Sequence, residues 1–475
     1  MRREDLFAYI DQDFEQEILP TLSEYIAIPN KSPAFDAAWE SAGHMQRAAE
    51  LIASWCRRRK IEGLKVDLIK ENGRTPLLLM DVPARGVENA ETVLIYGHLD
   101  KQPEMVGWSD GLAPFKPVLR GDKLFGRGGA DDGYAAFAAL SALSALEQFG
   151  AARPRVVVVI EGSEESGSSD LLYYVDALSD RIGTPSLVIC LDSGCGDYER
   201  LWCTTSLRGM VAGDLRIAVL TEGVHSGDAG GIVPSTFRIA RQLLARIEDQ
   251  ESGALCLDGA NVVIPEERVA QAGLVGEVLG HGLYSKFPFV PGVEPSTSDL
   301  AELVLRRTWR PALEVTGASG LPALEHAGNV ARPETTLKLS LRIPPTADAN
   351  VVYQNLKATL EAEPPYNARV SFAGEMASGW NAPATKPWLA EALDKASRAF
   401  FGPGVAHNGE GGSIPFMSML GQRFPDAQFV VTGVLGPQSN AHGPNEFLHI
   451  PTTKKVTASV ASVIADMAAA TSMRR

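Results

Sequence analysis

The chain has 475 residues, of which 45% are hydrophobic and 21% are charged, and its formal net charge is −14. This length predicts roughly two or three domains, and the composition is typical of a globular protein with a sizeable core. The acidic charge argues against nucleic acid or an anionic membrane as the main partner. The five cysteines form no C-x-x-C pair, which excludes a disulfide framework and a zinc ribbon as simple explanations.

The N-terminal segment is amphipathic and acidic, and it lacks the apolar stretch of a signal peptide. No part of the sequence has the length and apolar character of a transmembrane span. Unpaired cysteines suit a reducing compartment. We therefore expect a cytoplasmic protein.

Helix and strand patterns alternate in the first part of the chain. Apolar periodicity predicts, in order, a helix at 42–60, strands at 65–69, 76–82 and 92–100, a helix at 133–150, and strands at 155–162 and 185–194. Strands that alternate with helices predict an α/β fold with a mostly parallel sheet covered on both faces.

The middle of the chain has a different pattern. It predicts a strand at 213–220, a helix at 235–250, a strand at 335–345, a helix at 350–363 and a strand at 367–374. The last two strands alternate apolar and polar residues, as in an antiparallel sheet with one exposed face. The stretch 252–328 gives no assignable pattern.

The α/β pattern returns near the C-terminus, with a helix at 387–402 and a strand at 428–435. We therefore predict one α/β domain made of 1–205 and 381–475, interrupted by a smaller α+β domain at 206–380.

Several apolar strands are followed by side chains that could bind a metal. These candidates are His98, Asp100, Asp131, Asp132, Glu161, Glu164, Glu165, Asp192 and His442. The carboxyl ends of strands in an open α/β sheet form its ligand-binding edge, so we expect the candidates to converge there. Mixed imidazole and carboxylate ligands suit zinc, with manganese or cobalt as substitutes. The surplus of carboxylates suits a pair of ions that share one bridging carboxylate.

Each motif alone also has a simpler interpretation. His98 and Asp100 could form an ordinary pair at a strand end, and Asp131 and Asp132 could cap the helix that follows them. The glycine-rich turn around these aspartates lacks the G-x-G-x-x-G spacing of a dinucleotide site. The conjunction of all the motifs favours a metal centre.

The adjacent glutamates Glu164 and Glu165 could have two different roles in a metal centre. One could bind metal while the other accepts a proton from activated water. Other carboxylates nearby raise the pKa of such a group and make it a better base at neutral pH.

The motifs together resemble a known family. The segments, in chain order, are GHLD, GRGGADDG, EGSEESGS, LDSG, GVHSG, GGSIP and NAHGPNE. They resemble the co-catalytic zinc metallopeptidases that include carnosinase, cytosolic non-specific dipeptidase and, more distantly, acetylornithine deacetylase, aminoacylase and glutamate carboxypeptidase. The resemblance is nearest to the carnosinase-like dipeptidases and runs from about Ile26 to the C-terminus. It implies that the inserted domain is a ferredoxin-like lid through which two identical subunits pair.

The resemblance also implies two divalent ions per subunit, with zinc expected and manganese or cobalt possible substitutes. The implied ligands are His98 and Asp192 for one ion, Glu165 and His442 for the other, and Asp131 as the bridge. Glu164 matches the general base, and Asp100 matches a carboxylate that orients His98. The peptide between Asp131 and Asp132 is expected to be cis.

A further set of residues matches the family's substrate-binding positions: His225, Asn329, Arg342, Gly412 and Ser413. The resemblance implies that His225 and Asn329 reach the active site of the other subunit, where His225 stabilises the oxyanion. Arg342, Gly412 and Ser413 would hold the substrate carboxylate.

The sequence departs from the family pattern in two places. Gly133 and Tyr134 follow Asp132 where many relatives have lysine and glycine, and Asn329 stands where close dipeptidase relatives have threonine.

We therefore expect a two-metal hydrolase that cleaves the amide bond of a small substrate with a free carboxylate, a dipeptide first of all. An N-acyl amino-acid amidohydrolase or a carboxypeptidase is the alternative within the same chemistry. A metal-binding relative without activity is a third possibility, against which Glu164 argues because a pure binder needs no base.

Overall fold

The computed structural model describes residues 2–87, 91–412 and 414–473. Its largest sheet has nine strands in the order β1-β2-β6-β3-β7-β17-β8-β15, with β16 added beside β8. The strands are β1 (Lys65–Ile69), β2 (Leu77–Val82), β3 (Thr92–His98), β6 (Arg155–Glu161), β7 (Pro185–Cys190), β8 (Trp202–Leu207), β15 (Trp380–Asn381), β16 (Ala406–Glu410) and β17 (Gln428–Val431).

The centre of this sheet is parallel, which confirms the predicted α/β class. Strand β3 pairs in parallel with β6 and β7, and β7 pairs in parallel with β17. Strands β1 and β2 add an antiparallel edge. The apolar run of β6 is buried on both faces, because Val158 belongs to one core cluster and Val157 to the other.

Helices cover both faces of the large sheet. They are α1 (Arg3–Asp13), α2 (Leu19–Ile26), α3 (His44–Arg57), α4 (Ala135–Gln148), α5 (Leu171–Ala177), α6 (Ser179–Ile182), α13 (Pro387–Phe400), α14 (Pro415–Arg423) and α15 (Ile450–Met473). The small side chains of α4 allow it to be buried almost completely between α15 and the sheet.

A second, four-stranded sheet is antiparallel throughout, in the order β11-β13-β9-β14. Its strands are β9 (Gly209–Ala218), β11 (Ala312–Ser319), β13 (Glu334–Ile343) and β14 (Arg369–Ala377), and the helices α8 (Thr236–Leu244) and α12 (Ala349–Glu361) cover one face. Two helices on one face of this strand order make the ferredoxin-like arrangement. Burial alternates along β13, as the sequence predicted, and it also alternates along β9, whereas β14 is mostly exposed apart from Phe372.

The stretch that the sequence left unassigned contains α9 (Glu266–Leu279), α10 (Gly282–Ser285) and α11 (Leu300–Thr308). These helices pack on Trp202 of β8 and Ala406 of β16, which belong to the large sheet. The division of the chain at 205 and 380 therefore remains a proposal, since α9–α11 lie inside 206–380.

Two small sheets complete the fold. One pairs β10 (Val224–His225) with β12 (Val330–Ala331) next to the short helix α7 (Ser226–Ala229), and the other contains β4 (Val118–Arg120), β5 (Lys123–Phe125) and β18 (Phe447–His449). Within the described residues, we find no helix with both the length and the apolar character that a bilayer crossing requires.

Candidate metal centre

The predicted metal ligands meet at the carboxyl edge of the parallel strands. His98 is the last residue of β3, Glu165 lies in the turn after β6, and Asp192 follows β7. Asp131 lies in the glycine-rich turn before α4, and His442 lies in the loop after β17. These elements come from distant parts of the chain, and the sheet places their ends side by side.

Asp131 lies between the two histidines. Its Oδ1 is 3.2 Å from Nε2 of His98, and its Oδ2 is 3.0 Å from Nε2 of His442. Asp192 Oδ2 lies 3.8 Å from His98 Nε2, and Glu165 Oε2 lies 3.4 Å from His442 Nε2. The five side chains thus form two neighbouring groups that share Asp131.

The donor chemistry of these groups fits divalent cations. The Nδ1–H of His98 donates to the carbonyl oxygen of Asp100 at 3.1 Å, so in the neutral ring, the form that binds metal, the lone pair of Nε2 faces carboxylate oxygens. Oε1 of Glu165 is buried and has no hydrogen-bond partner among the described residues. Potential ligand atoms of His98, Asp131 and Glu165 lie within 4.8 Å of one another, as do those of His98, Asp132 and Asp192. Cations would satisfy these facing lone pairs and offset the carboxylate repulsion.

Asp100 does more than orient His98. This buried carboxylate accepts hydrogen bonds from the backbone N–H groups of Glu164, at 3.1 Å, and Glu165, at 3.0 Å. Asp100 therefore fixes the end of β3 through its carbonyl oxygen and the turn that carries both glutamates through its carboxylate. The sequence predicted that the carboxylate orients His98, and its Oδ1 lies 3.4 Å from Nδ1 of His98. The sequence carried no signal for the bonds to the glutamates.

The pKa shifts reflect crowding of negative groups. Burial raises the pKa of Glu164 well above its usual value, and Asp192 raises it further. Burial also raises the pKa of Asp192, to about 6. Burial alone would lower the pKa of His98, but the surrounding carboxylates, Asp192 first, outweigh it and raise that pKa well above its usual value. The site is an environment that favours added positive charge.

A cavity of about 500 Å³ opens onto this cluster. Its wall includes Asp131, Glu164, Glu165, Asp192 and His442 on the polar side. Apolar wall residues are Leu207, Ile414, Leu435 and Ala441. The volume is in the usual range for small-molecule sites.

The predicted substrate-binding residues, unlike the predicted metal ligands, do not all lie at the cavity. Gly412 lines the cavity, and Ser413 lies outside the described residues. His225 and Asn329 are exposed neighbours in the inserted domain, where the N–H of Ser226 donates to the carbonyl oxygen of Asn329 at 2.9 Å. Arg342 is half-buried on β13, and burial lowers its pKa. Among the described residues, the cavity wall of a single chain includes none of His225, Asn329 and Arg342.

The departure at Gly133 has a steric cause. A Cβ atom at this position would lie 2.2 Å from Cε1 of Tyr25 and 2.4 Å from the carbonyl oxygen of Gly128. No side chain fits there without displacing Tyr25. The peptide between Asp131 and Asp132 is cis, as the resemblance implied.

Some residues that support the site were missed in the sequence. Arg127 forms a buried ion pair with Glu446, and its Nη2 donates to the carbonyl oxygen of Gly443 at 2.8 Å. This pair joins the loop of His442 to the turn of Asp131. Nε2 of Gln102 donates to Glu165 at 2.5 Å. Glu446 belongs to the same short motif as His442, and Gln102 lies two residues after the motif GHLD of His98. This proximity was the only available signal.

Comparison with known proteins agrees with this geometry. The profile described as "Peptidase family M20/M25/M40" matches residues 94–466, which is most of the chain. The chain belongs to this peptidase family. It is therefore a metallopeptidase, and the family assignment together with the clustered donors supports divalent metal ions as its cofactors.

This M20-family chain is similar to several curated dipeptidases. It is 28% identical over 370 residues to the cysteinylglycine-S-conjugate dipeptidase of Corynebacterium striatum, covering 76% of this chain and 77% of that protein. It is 26% identical over 470 residues to the human Beta-Ala-His dipeptidase, covering 93% and 88%. Among solved structures, the di-peptidase Dug1p of Saccharomyces cerevisiae has a TM-score of 0.76 at 20% identity, covering 98% of both chains. Human carnosine dipeptidase 1 has a TM-score of 0.74 at 22% identity, covering 98% and 99%.

Proposed function

We propose that this protein is a two-metal dipeptidase that cleaves the amide bond of a small peptide with a free carboxylate. The observation that carries the proposal is the position of Asp131 between His98 and His442, at the floor of a cavity that Glu164 also lines. The similar proteins with curated names are dipeptidases, which supports this substrate class over N-acyl amino acids.

The metal ligands in this proposal are those of the two neighbouring groups. His98 and Asp192 would hold one ion, Glu165 and His442 would hold the other, and Asp131 would serve both. We propose zinc, because mixed imidazole and carboxylate donors suit it, with manganese and cobalt as substitutes. When bound, the ions polarise the substrate carbonyl and lower the pKa of the attacking water.

Glu164 is the proton carrier in this proposal. Its side chain faces the cavity, and its N–H is held by Asp100, so the carboxylate has a fixed place beside the metal ligands. Burial raises its pKa, and a carboxylate of raised pKa accepts a proton more readily at neutral pH. Glu164 takes the proton from the attacking water and passes it to the nitrogen of the leaving amine.

We propose that two subunits complete each active site. His225 and Asn329 are exposed and lie apart from the cavity of their own chain, and their domain also exposes apolar Ile232 and Val330. A homodimer formed through this domain would bring His225 of the partner subunit to the oxyanion. Arg342, Gly412 and Ser413 would bind the substrate carboxylate, for which a guanidinium group is well shaped.

A cytoplasmic location also belongs to the proposal. All five cysteines are free in the structure, as expected in a reducing compartment.

The proposal is tested with purified protein loaded separately with zinc, manganese or cobalt. Dipeptides and N-acyl amino acids are incubated with each form, and products are identified by mass spectrometry. We expect hydrolysis of dipeptides. Preferential hydrolysis of N-acyl amino acids would replace the proposal with an amidohydrolase, and metal-loaded protein that cleaves neither class would contradict it.

A further inference from the structure

Lys101 is fully buried, one residue after Asp100 and directly beside the metal centre. It lies in the segment after β3. Its Nζ donates to the carbonyl oxygens of Tyr25 at 2.8 Å, Ile28 at 2.8 Å and Ile26 at 3.3 Å. These three bonds use all three N–H donors of an ammonium group, whereas a neutral amine has only two.

The ammonium group has no ordinary counter-ion. Among the described residues Nζ forms no ion pair, although the charge of Glu446 acts on it, and the nearest aromatic ring is that of Tyr25, whose centroid is 4.1 Å away. Burying an unpaired charge is costly, and an apolar side chain of similar size would avoid that cost. Burial lowers the pKa of Lys101 well below its usual value, whereas the three carbonyl oxygens around Nζ and the charge of Glu446 favour the ammonium form. The three hydrogen bonds from Nζ therefore provide an attachment between segments of the chain that an apolar side chain could not provide.

The three carbonyl groups belong to the end of α2 and the residues just after it. Carbonyl groups at a helix C-terminus lack helical partners and carry the negative end of the helix dipole, which makes them a suitable site for a cation. Lys101 thereby fastens the end of α2 to the segment 99–102.

Other bonds reinforce the same attachment. Tyr25 Oη donates to the carbonyl oxygen of Leu99 at 2.7 Å, and Asn30 Nδ2 donates to the same oxygen at 2.5 Å. The N–H of Ser32 donates to the carbonyl oxygen of Lys101 at 2.9 Å. The segment 99–102 is thus held from the α2 side by both side chains and backbone.

The attached segment carries the groups that orient the metal ligands. Asp100 accepts the hydrogen bond of His98 at its carbonyl oxygen and holds the N–H groups of Glu164 and Glu165 with its carboxylate. Gln102 donates to the carboxylate of Glu165. Lys101 lies between these two residues in sequence.

Lys101 also contacts the turn that leads to the bridging aspartate. A Cβ atom at Gly128 would lie 2.6 Å from both Cγ and Cε of Lys101, so the lysine stem occupies the space that a side chain at 128 would need. Gly128 is in the left-handed region, with φ of 79°, and precedes the turn Gly129–Gly133. The lysine, which belongs to the segment after β3, therefore contacts two other segments: the end of α2 and the approach to Asp131.

We propose that Lys101 is a positioning residue of the metal centre, whose ammonium group fastens α2 to the segment 99–102 and thereby holds Asp100 and Gln102 in the geometry that aligns His98 and Glu165. This inference rests on the proposed metal ligands. It assigns to the end of α2 an effect on metal affinity that acts through Asp100 and Gln102.

The test compares metal binding by the full-length wild type, K101M and K101Q. K101M keeps the length of the stem without charge or donors, and K101Q keeps polarity without charge. Dissociation constants are measured by competition with a chelator, and the cobalt-loaded forms are compared by visible absorption, which reports ligand geometry. We expect both variants to bind at least one ion about 10- to 100-fold more weakly and to show an altered cobalt spectrum.

K454M is the matched control for the loss of a buried lysine. Lys454 has an 8% exposed side chain and binds Asp11 and Glu15, away from the metal centre. K454M should lose thermal stability but bind metal as the wild type does. Wild-type metal affinity and spectrum in K101Q, or in folded K101M, would overturn the inference. A wild-type protein that binds no metal would instead contradict the proposed function.

Discussion

Asp131 and His442 lie in contact, 3.0 Å apart between Oδ2 and Nε2, although the turn before α4 and the loop after β17 are far apart in the chain. The other oxygen of the same carboxylate is 3.2 Å from His98. A single carboxylate therefore holds both halves of the candidate centre together, and the first prediction concerns its loss.

D131N should greatly reduce the binding of both ions, because an amide presents only one oxygen and no negative charge to the two sites. We expect metal content, measured by elemental analysis after gel filtration, to fall from about two ions per chain to less than about one. D13N is the control. Asp13 is a buried aspartate that Arg59 binds through both oxygens, and its loss should lower stability without lowering metal content. Two tightly bound ions in D131N would contradict the bridging role.

The adjacent glutamates should separate catalysis from metal binding. E164Q should retain both ions and lower kcat by about 10²- to 10⁴-fold, because it removes the proton carrier but no ligand. E165Q should lose one ion, since its buried Oε1 has no other partner among the described residues. Elemental analysis and steady-state kinetics on both variants distinguish the roles. Loss of metal from E164Q would reassign it as a ligand.

Mixed dimers test the shared active site. H225A alone should lower kcat by about 10²- to 10³-fold, as expected for loss of an oxyanion donor. A dimer of one H225A chain and one E164Q chain contains one site with both groups intact. Random mixing of these two inactive variants, after dissociation and reassociation, should therefore restore about a quarter of wild-type activity.

A mixture of E164Q and E165Q is the control for that experiment. Both substitutions change a residue that a chain contributes to its own active site. No mixed dimer of these two variants therefore has an intact site. Recovery of activity in this control, or its absence in the H225A mixture, would contradict a site shared between subunits.

Glu161 should make stability depend on pH. It is buried at the end of β6, where Tyr96 Oη donates to it at 2.6 Å and Ser168 Oγ at 2.8 Å. Burial, followed by the charge of Asp100, raises its pKa to about 7. Between its ordinary pKa of 4.5 and about 7, the unfolded chain is ionised while the folded chain keeps the proton. Folding then takes up a proton, so this group makes the free energy of unfolding fall as pH rises through that window.

E161Q imitates the protonated form and should remove this dependence. Above pH 7 the metal-free variant should be more stable than the wild type by an amount of order 3 kcal/mol, and near pH 4.5 the two should be similar. Urea denaturation of the metal-free proteins at both pH values measures the difference. An equal difference at the two pH values would show that ionisation of Glu161 does not cause it.

The centre of the large sheet and much of the four-stranded sheet were predictable because their elements have strong local patterns. The valine-rich run 156–160 could only be a covered strand, and the Ala-rich helix α4 was marked by composition and by Gly150 after it. The helices α9–α11 were not predicted, because the Pro- and Gly-containing stretch around them obscures their periodicity. Their burial depends on Trp202 and Ala406, which belong to strands elsewhere in the chain.

The amino-acid sequence by itself determined the chemical inventory of this protein: which carboxylates and imidazoles follow apolar strands, in what order, and with Glu164 beside Glu165. Only the tertiary structure decided that Asp100 holds the backbone of both glutamates, that Arg127 pairs with Glu446, and that Lys101 binds the end of α2. The physical reason is that strand and helix patterns are local, whereas hydrogen bonds between buried groups depend on which distant segments the packed core brings within about 3 Å of each other.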